Sequence, residues 1–184
     1  MHHRFVRGAS RLFASVALVL TVAQCSSSDA RPAAPTTSLV VTYGDDPTVS
    51  AQMVCGSDGQ TALGATFTVT GLKVTTPTWV DHLYSCTYQY PTGSFELSVK
   101  ELPTIPETVD YFTSLKNKST GAQQLALGQD GFVGADGTSV VRKDNKVLVV
   151  DVSKLPAQFG TPPQTPIQAS QNIAFILLGC WTGD

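Results

Sequence analysis

Of the three histidines in the 184-residue chain, His2 and His3 stand at the start and only His82 lies deeper, so any imidazole chemistry of a folded domain depends on it. Its surroundings, WVDHLY, put Asp81 beside it and Cys86 four residues on, the residue types of a carboxylate-oriented base or a Cys–His pair. A two-histidine metal site is excluded, and a Ser-His-Asp triad would need this same His82. The simpler reading is a partly exposed histidine in a loop entering a strand. Glu96, Glu101, Glu107 and Asp110 form no pair whose surroundings separate their acid strengths. The run GQDGFVGADG carries Gly128, Gly131, Gly134 and Gly137 with Asp130 and Asp136. It lacks the ligand spacing of a calcium loop and the Lys-Ser or Lys-Thr of a phosphate loop. Glycines that let a short strand pass close to its neighbours explain it better. Trp79, Tyr84, Tyr88 and Tyr90 offer rings to a sugar or peptide, but three of them share a strand face with Cys86 and read as core. The expectation is a chain with no enzyme activity, metal or cofactor.

Cysteine is the other reactive type. The segment 1–24 has Arg4, Arg7 and Arg11 followed by the uncharged run Leu12 to Ala23, the layout of an export signal and short of the ~20 apolar residues that span a bilayer. Val22-Ala23-Gln24-Cys25 resembles the site at which bacterial lipoproteins are cleaved and lipidated, with Gln24 bulkier than the usual residue there. Ordinary cleavage after Ala23 or Ala30 competes with it. Lipidation of Cys25 would supply two or three acyl chains, enough for stable membrane attachment. The Ser, Ala and Pro content of residues 25–38 then reads as a tether, leaving 39–184 as one globular domain. In an oxidising compartment Cys55, Cys86 and Cys180 are disulfide candidates rather than metal ligands, and an odd count leaves one over. Spacing does not choose the pair. Cys55 with Cys86 is preferred, closing a loop of about 30 residues for roughly 4 kcal/mol; Cys86 with Cys180 would close about 95 residues for roughly 5 kcal/mol.

The elements that must position these residues follow from pattern. Strands are expected at Leu39 to Tyr43 and Val49 to Cys55, with a turn at Gly56 to Gly59 and an edge strand over Thr66 to Val74. LYSCTYQY puts Tyr84, Cys86, Tyr88 and Tyr90 on one face; after the PTGS turn, SFELSVKE puts Phe95, Leu97 and Val99 inward, which makes a hairpin. TIPETVDYFTSLKNK has a Thr104/Glu107 capping box, Pro106 in the first turn and apolar residues at helical spacing, predicting a helix over about 105–118. SVVRKDNKVLVVDV reads as two strands around Asp144-Asn145. TPPQTPIQASQNIAFILLGC has Thr165 as cap, Pro166 at the first position, Gln168 three on and Gly179 past the end, predicting a helix over about 166–178. The run Ala174 to Leu178 is apolar on nearly every side, which implies burial all round. The fold class is α+β, a mostly antiparallel sheet with two main helices packed on it.

The segments CTYQYPTGSFELSVKEL, ALGQDGF, DGTSVVRKDNKVLVVDVSKLP and GCWTGD resemble uncharacterised secreted proteins and lipoproteins of actinobacteria, over roughly residues 50–184. Cys55, Ala62-Leu63-Gly64, Cys86, and Leu127-Gly128 with Phe132 match the order of motifs in that group, a domain of unknown function. Cys180 and Tyr88 depart from it. The resemblance implies a Mog1/PsbP-like α/β sandwich, a group that mostly binds partners. SLVVTYG followed by a β-run into Cys55 and a Gly turn also resembles the start of secreted subtilisin inhibitors, a match that ends near Gly59.

The formal charge is −2, and the Lys and Arg residues beyond the leader are scattered, so no nucleic-acid partner is expected. The reading is a non-enzymatic extracytoplasmic protein held to the outer face of the cytoplasmic membrane through Cys25, or secreted, that binds an unidentified ligand or protein partner. A secreted protease inhibitor is the alternative, and an enzyme using Asp81, His82 and nearby carboxylates a third.

Overall fold

A computed structural model describes residues 40–181. The expected leader, the expected tether with Cys25 and the last three residues lie outside the described residues. The helices are α1 (Val49–Met53), α2 (Ser57–Phe67), α3 (Ile105–Lys118) and α4 (Pro166–Cys180). The strands are β1 (Lys73–Val74), β2 (Thr78–Val80), β3 (Leu83–Tyr90), β4 (Gly93–Glu101), β5 (Gln123–Gln124), β6 (Asp130–Val133), β7 (Ser139–Lys143) and β8 (Lys146–Asp151). They form one sheet in the order β1-β3-β4-β8-β7-β6-β5, with β2 also on β3, and every pairing is antiparallel. The fold is α+β.

Alternation in the two long hairpins sorts the side chains between faces. Tyr88 stands opposite Phe95, Cys86 opposite Leu97 and Tyr84 opposite Val99, and the row continues to Leu148 and Val150 on β8. This face carries the larger core, covered by Val54, Leu63, Phe67, Ile173 and Leu177 from the segment containing α1, α2 and α4. On the other face α3 lays Phe112 edge-on against Phe132, their centroids 5.4 Å apart, beside Val140 and Val147. Helices thus cover both faces at β7, where Val140 and Val141 point opposite ways and both are buried. Over β3 and β4 the second face remains polar, with Thr87, Glu96 and Ser98.

The hairpin turns and caps form where the local signals place them. Asp144, at φ 52, begins the β7–β8 turn. Thr104 Oγ1 accepts from Glu107 N–H at 3.3 Å and donates to Glu107 Oε2 at 2.8 Å. Thr165 and Gln168 form the reciprocal box that starts α4. Gly128, at φ +63, lies where an added Cβ would stand 2.4 Å from Arg142 O, so the glycine-rich run is a close strand crossing. Asp130 pairs with Arg142 at 2.6 Å, and Asp136 accepts from Thr138 N and Oγ1, so both acids are satisfied locally.

Six expectations are corrected. Val49 to Cys55 is not a strand; Thr48 caps α1, and Gly56 to Gly59 is not a free turn but the cap and first turn of α2. The expected edge strand over Thr66 to Val74 is the end of α2, the left-handed cap Thr68 (φ 49) and only two residues of strand. The Thr and Val content of this region favours strand. Yet Gly59, Leu63 and Phe67 recur every four residues and are all buried, so burial of one helical face overrides local preference. Residues 40–43 form no strand; Val41 N–H donates to Pro103 O at 2.7 Å instead. Finally, α4 runs through Gly179 to Cys180, and Phe175, expected to be buried, is 66% exposed. The β-run on which the subtilisin-inhibitor resemblance rests is therefore helix α1.

Cys55 and Cys86 form a buried disulfide with their Cα atoms 6.0 Å apart, while Cys180 is free and half-buried. Two residues along β3, the Tyr88 hydroxyl donates to Val54 O at 2.7 Å and its ring stacks on Phe95 at 4.9 Å. Replacing both cysteines by alanine is expected to lower the unfolding free energy by about 4 kcal/mol in urea titrations; a loss below about 1 kcal/mol would contradict a closed loop of this length.

Burial, with Tyr90 and Tyr84 nearby, raises the Tyr88 hydroxyl far above its ordinary value. The Tyr90 hydroxyl, buried without a hydrogen-bond partner, is pushed up from 10.0 to about 12 by burial. The fold thus favours the neutral phenols, and their contribution is complete below pH 10 and lost as pH rises through about 12. Urea midpoints should fall steeply between pH 10 and 12. Tyr90→Phe should cost nothing at pH 7 and reduce that alkaline loss, whereas a penalty above about 1 kcal/mol at pH 7 would mean that its hydroxyl is satisfied.

Candidate functional site

Two of the residues that chemistry singles out, Asp81 and His82, stand together at one end of the sheet. The β2–β3 hairpin closes with a two-residue turn, Asp81-His82, in which both residues have positive φ, 51 and 56. This geometry prefers Asn-Gly or Asp-Gly, so a histidine in the second place is held against its backbone preference. Its ring is held between two others, Trp79 edge-on at 5.4 Å and Tyr43 at 6.1 Å. Tyr43 lies in the segment that enters the domain, and its hydroxyl donates to Asn145 O at 3.4 Å in the β7–β8 turn. Asn145 Nδ2 donates to Leu102 O at 3.1 Å, and Leu102 N–H returns a bond to Asn145 O at 2.9 Å. Lys100 Nζ donates to Asp81 O, and Glu101 N–H to His82 O.

Beneath this rim lies Glu101, only 1% exposed. Thr48 donates to its Oε1 twice, through N–H at 3.2 Å and through the hydroxyl. The same hydroxyl oxygen accepts from Ala51 N–H, which starts α1. Glu101 Oε2 is buried with no partner among the described residues. A groove of about 320 Å³ runs alongside, lined by Val41, Tyr43, Thr48, Asn145 and Lys146 among others.

The structure places Asp81 and His82 side by side in the β2–β3 turn. Cys86 is tied up in the disulfide on the inward face of β3. The His82 side chain has ring neighbours and, among the described residues, no hydrogen bond to an acid or nucleophile. Glu96 is exposed on the polar face, Glu107 caps α3 and Asp110 is on its surface. Tyr88 and Tyr90 are core residues, and Trp79 and Tyr84 are half-buried, so the four rings make no open platform. Among the described residues no group of three or more His, Cys, Asp or Glu side chains stands close enough to hold a metal ion, and no helix is long and apolar enough to cross a membrane. The groove lined by Tyr43, Thr48 and the Asp144-Asn145 turn is a concave feature at this end of the sheet.

Thr48, Tyr43, Asn145 and the special place of Glu101 were not singled out from the sequence. A signal for Glu101 was present: it continues the inward parity of Phe95, Leu97 and Val99 and is buried as they are. Tyr43 and Asn145 meet across 102 residues, a pairing that no local pattern announces. Compared with protein-family models, curated proteins and solved structures, the chain finds no match.

Thr48→Val should cost about 2 kcal/mol in urea unfolding, from the lost helix cap and the lost bond to a buried carboxyl; an unchanged midpoint would show that Glu101 does not need that hydroxyl. His82→Gly should leave stability within about 1 kcal/mol of wild type, because relief of the left-handed backbone offsets the lost ring contacts. A larger loss would make His82 a structural residue rather than part of a recognition rim.

Proposed function

We propose that this chain is a non-enzymatic binding protein of the bacterial cell envelope, exported by its leader and tethered to the outer face of the cytoplasmic membrane through lipidated Cys25. The observation that carries the reading is the buried Cys55–Cys86 disulfide, because such bonds persist in oxidising compartments and are rare where glutathione keeps thiols reduced. The Arg4, Arg7, Arg11 cluster before an uncharged run, and the Ser, Ala and Pro tether after Cys25, support the same location. Support for binding comes from the groove at the sheet end, lined by Tyr43 and Thr48 of the entering segment and by the Asp144-Asn145 turn. Descent from the actinobacterial lipoprotein group, with a Mog1/PsbP-like plan, belongs to the proposal, and helices on both faces of an antiparallel sheet are compatible with it.

Metabolic labelling with a palmitate analogue tests the anchor. The wild-type protein should carry label and fractionate with membranes, and Cys25→Ala should carry none. Absence of label in the wild type would remove the anchor, and recovery of the unprocessed chain from the cytoplasm would remove export as well.

A further inference from the structure

We infer that the segment Thr182-Gly183-Asp184 folds back as a strap across the groove beside Tyr43 and Thr48, with the Asp184 carboxylate seated on Lys146. The first observation is where α4 delivers the chain. Trp181 caps the end of α4 and is 5% exposed, and Lys143 Nζ donates to its carbonyl oxygen. A cation on the last carbonyls of a helix is favoured by the helix dipole, so this bond fixes the point from which residue 182 departs. That point is the β7–β8 turn. Lys143 is the last residue of β7 and stands opposite Lys146, the first of β8, and Lys146 lines the groove of about 320 Å³.

The second observation is charge. Glu101, Lys146 and Lys143 stand in register across β4, β8 and β7, so their side chains share one face of the sheet. Like charges directly opposite one another are destabilising, and here one carboxylate is set beside two ammonium groups. That carboxylate is engaged elsewhere: Glu101 Oε1 accepts from the Thr48 N–H and hydroxyl at the start of α1. The acid of the turn itself, Asp144, accepts from Gln129 Nε2 at 2.9 Å, on the β6 side of the hairpin. The row therefore carries a surplus of one positive charge, and an acid arriving from the end of α4 complements it.

The third is reach. Past Trp181 the chain reads Thr182-Gly183-Asp184, which puts an acid three residues beyond the carbonyl that Lys143 holds. Neighbouring strands lie about 4.8 Å apart, and three extended residues span at most ~10 Å, so Asp184 reaches Lys146 with slack. Thr182 and Gly183 then cross between Trp181 and the turn. A separate acidic partner would have to displace an acid that this short link holds at a millimolar effective concentration, which favours the chain's own end as the occupant. The strap regulates the groove: a ligand that carries a carboxylate must first expel Asp184. That consequence rests on the binding role proposed above, whereas the docking of the strap does not.

Zero-length cross-linking of the full-length protein tests the contact. A carbodiimide joins a carboxylate to an amine it touches as an amide, taking up the water that is lost. After tryptic digestion it should link the peptide containing Lys146 to the one containing Asp184, lighter than their sum by one water, with the bond mapped to residues 146 and 184 of the same chain. Lys146 should also react about fivefold more slowly with an acylating ester than Lys116 on the surface of α3. Asp184→Lys, which repels Lys146, should restore the faster rate while the Cys55–Cys86 disulfide stays intact. Residue 184 linked only to other lysines or to none, protection of Lys146 that persists in Asp184→Lys, or no protection in the wild type would each overturn the inference. These readouts are taken on the isolated chain, so loss of the lipid anchor or of the binding role would leave them unchanged.

Discussion

The bond between Cys55 and Cys86 is the constraint on which this fold depends most heavily. Helix α1 has five residues, far fewer than a helix needs to be stable alone, so its formation must be dictated by its surroundings. It is fixed at both ends. Thr48 ties its start to Glu101 on β4, and the disulfide, supported by the Tyr88 hydroxyl on Val54 O, ties its exit to β3. Because Gly56 caps α2 directly after that bridge, the same covalent link also sets where α2 begins. Removing it frees the corner between two helices that together cover much of the larger core.

From that corner the site follows. Glu101 is drawn inward because β4 keeps strict parity to its last residue, and the carboxyl that results is answered by the cap of α1. One side chain therefore links the strand, the helix start and the entering segment. The turn at Asp81-His82 and the turn at Asp144-Asn145 bracket it from β2–β3 and β7–β8, joined through Lys100, Leu102 and Tyr43. A groove at such a junction is lined by residues far apart in sequence but held by rigid strands, which is a sound setting for recognition.

What could be read from the sequence was what local patterns encode. The β3–β4 hairpin shows strict alternation, β7 and β8 flank the Asp144-Asn145 turn, and α3 and α4 begin with capping residues, so these strands and helices declared themselves. Helices α1 and α2 did not, because their Gly, Ser, Thr and Val residues are weak helix formers and only the burial of Gly59, Leu63 and Phe67 on one side selects helix in α2. Strands β1, β2 and β5 have two or three residues each and exist only through their partners. Of the candidate site, Asp81 and His82 were visible as residue types, but their αL turn and their contacts with Tyr43 and Trp79 arise from tertiary packing. Phe175 shows the reverse case, where an apolar run implied burial and the residue stands 66% exposed.

Export into an oxidising compartment is the central claim, and thiol counting on the protein isolated from its own envelope tests it most directly. Alkylation in denaturant before reduction, followed by intact mass, should show one modified cysteine, Cys180, on a chain that begins at acylated Cys25. Reduction before alkylation should raise the count to three. Four alkylated thiols without reduction, Cys25 among them on a chain that still carries its leader, would contradict both the disulfide in the cell and the location inferred from it.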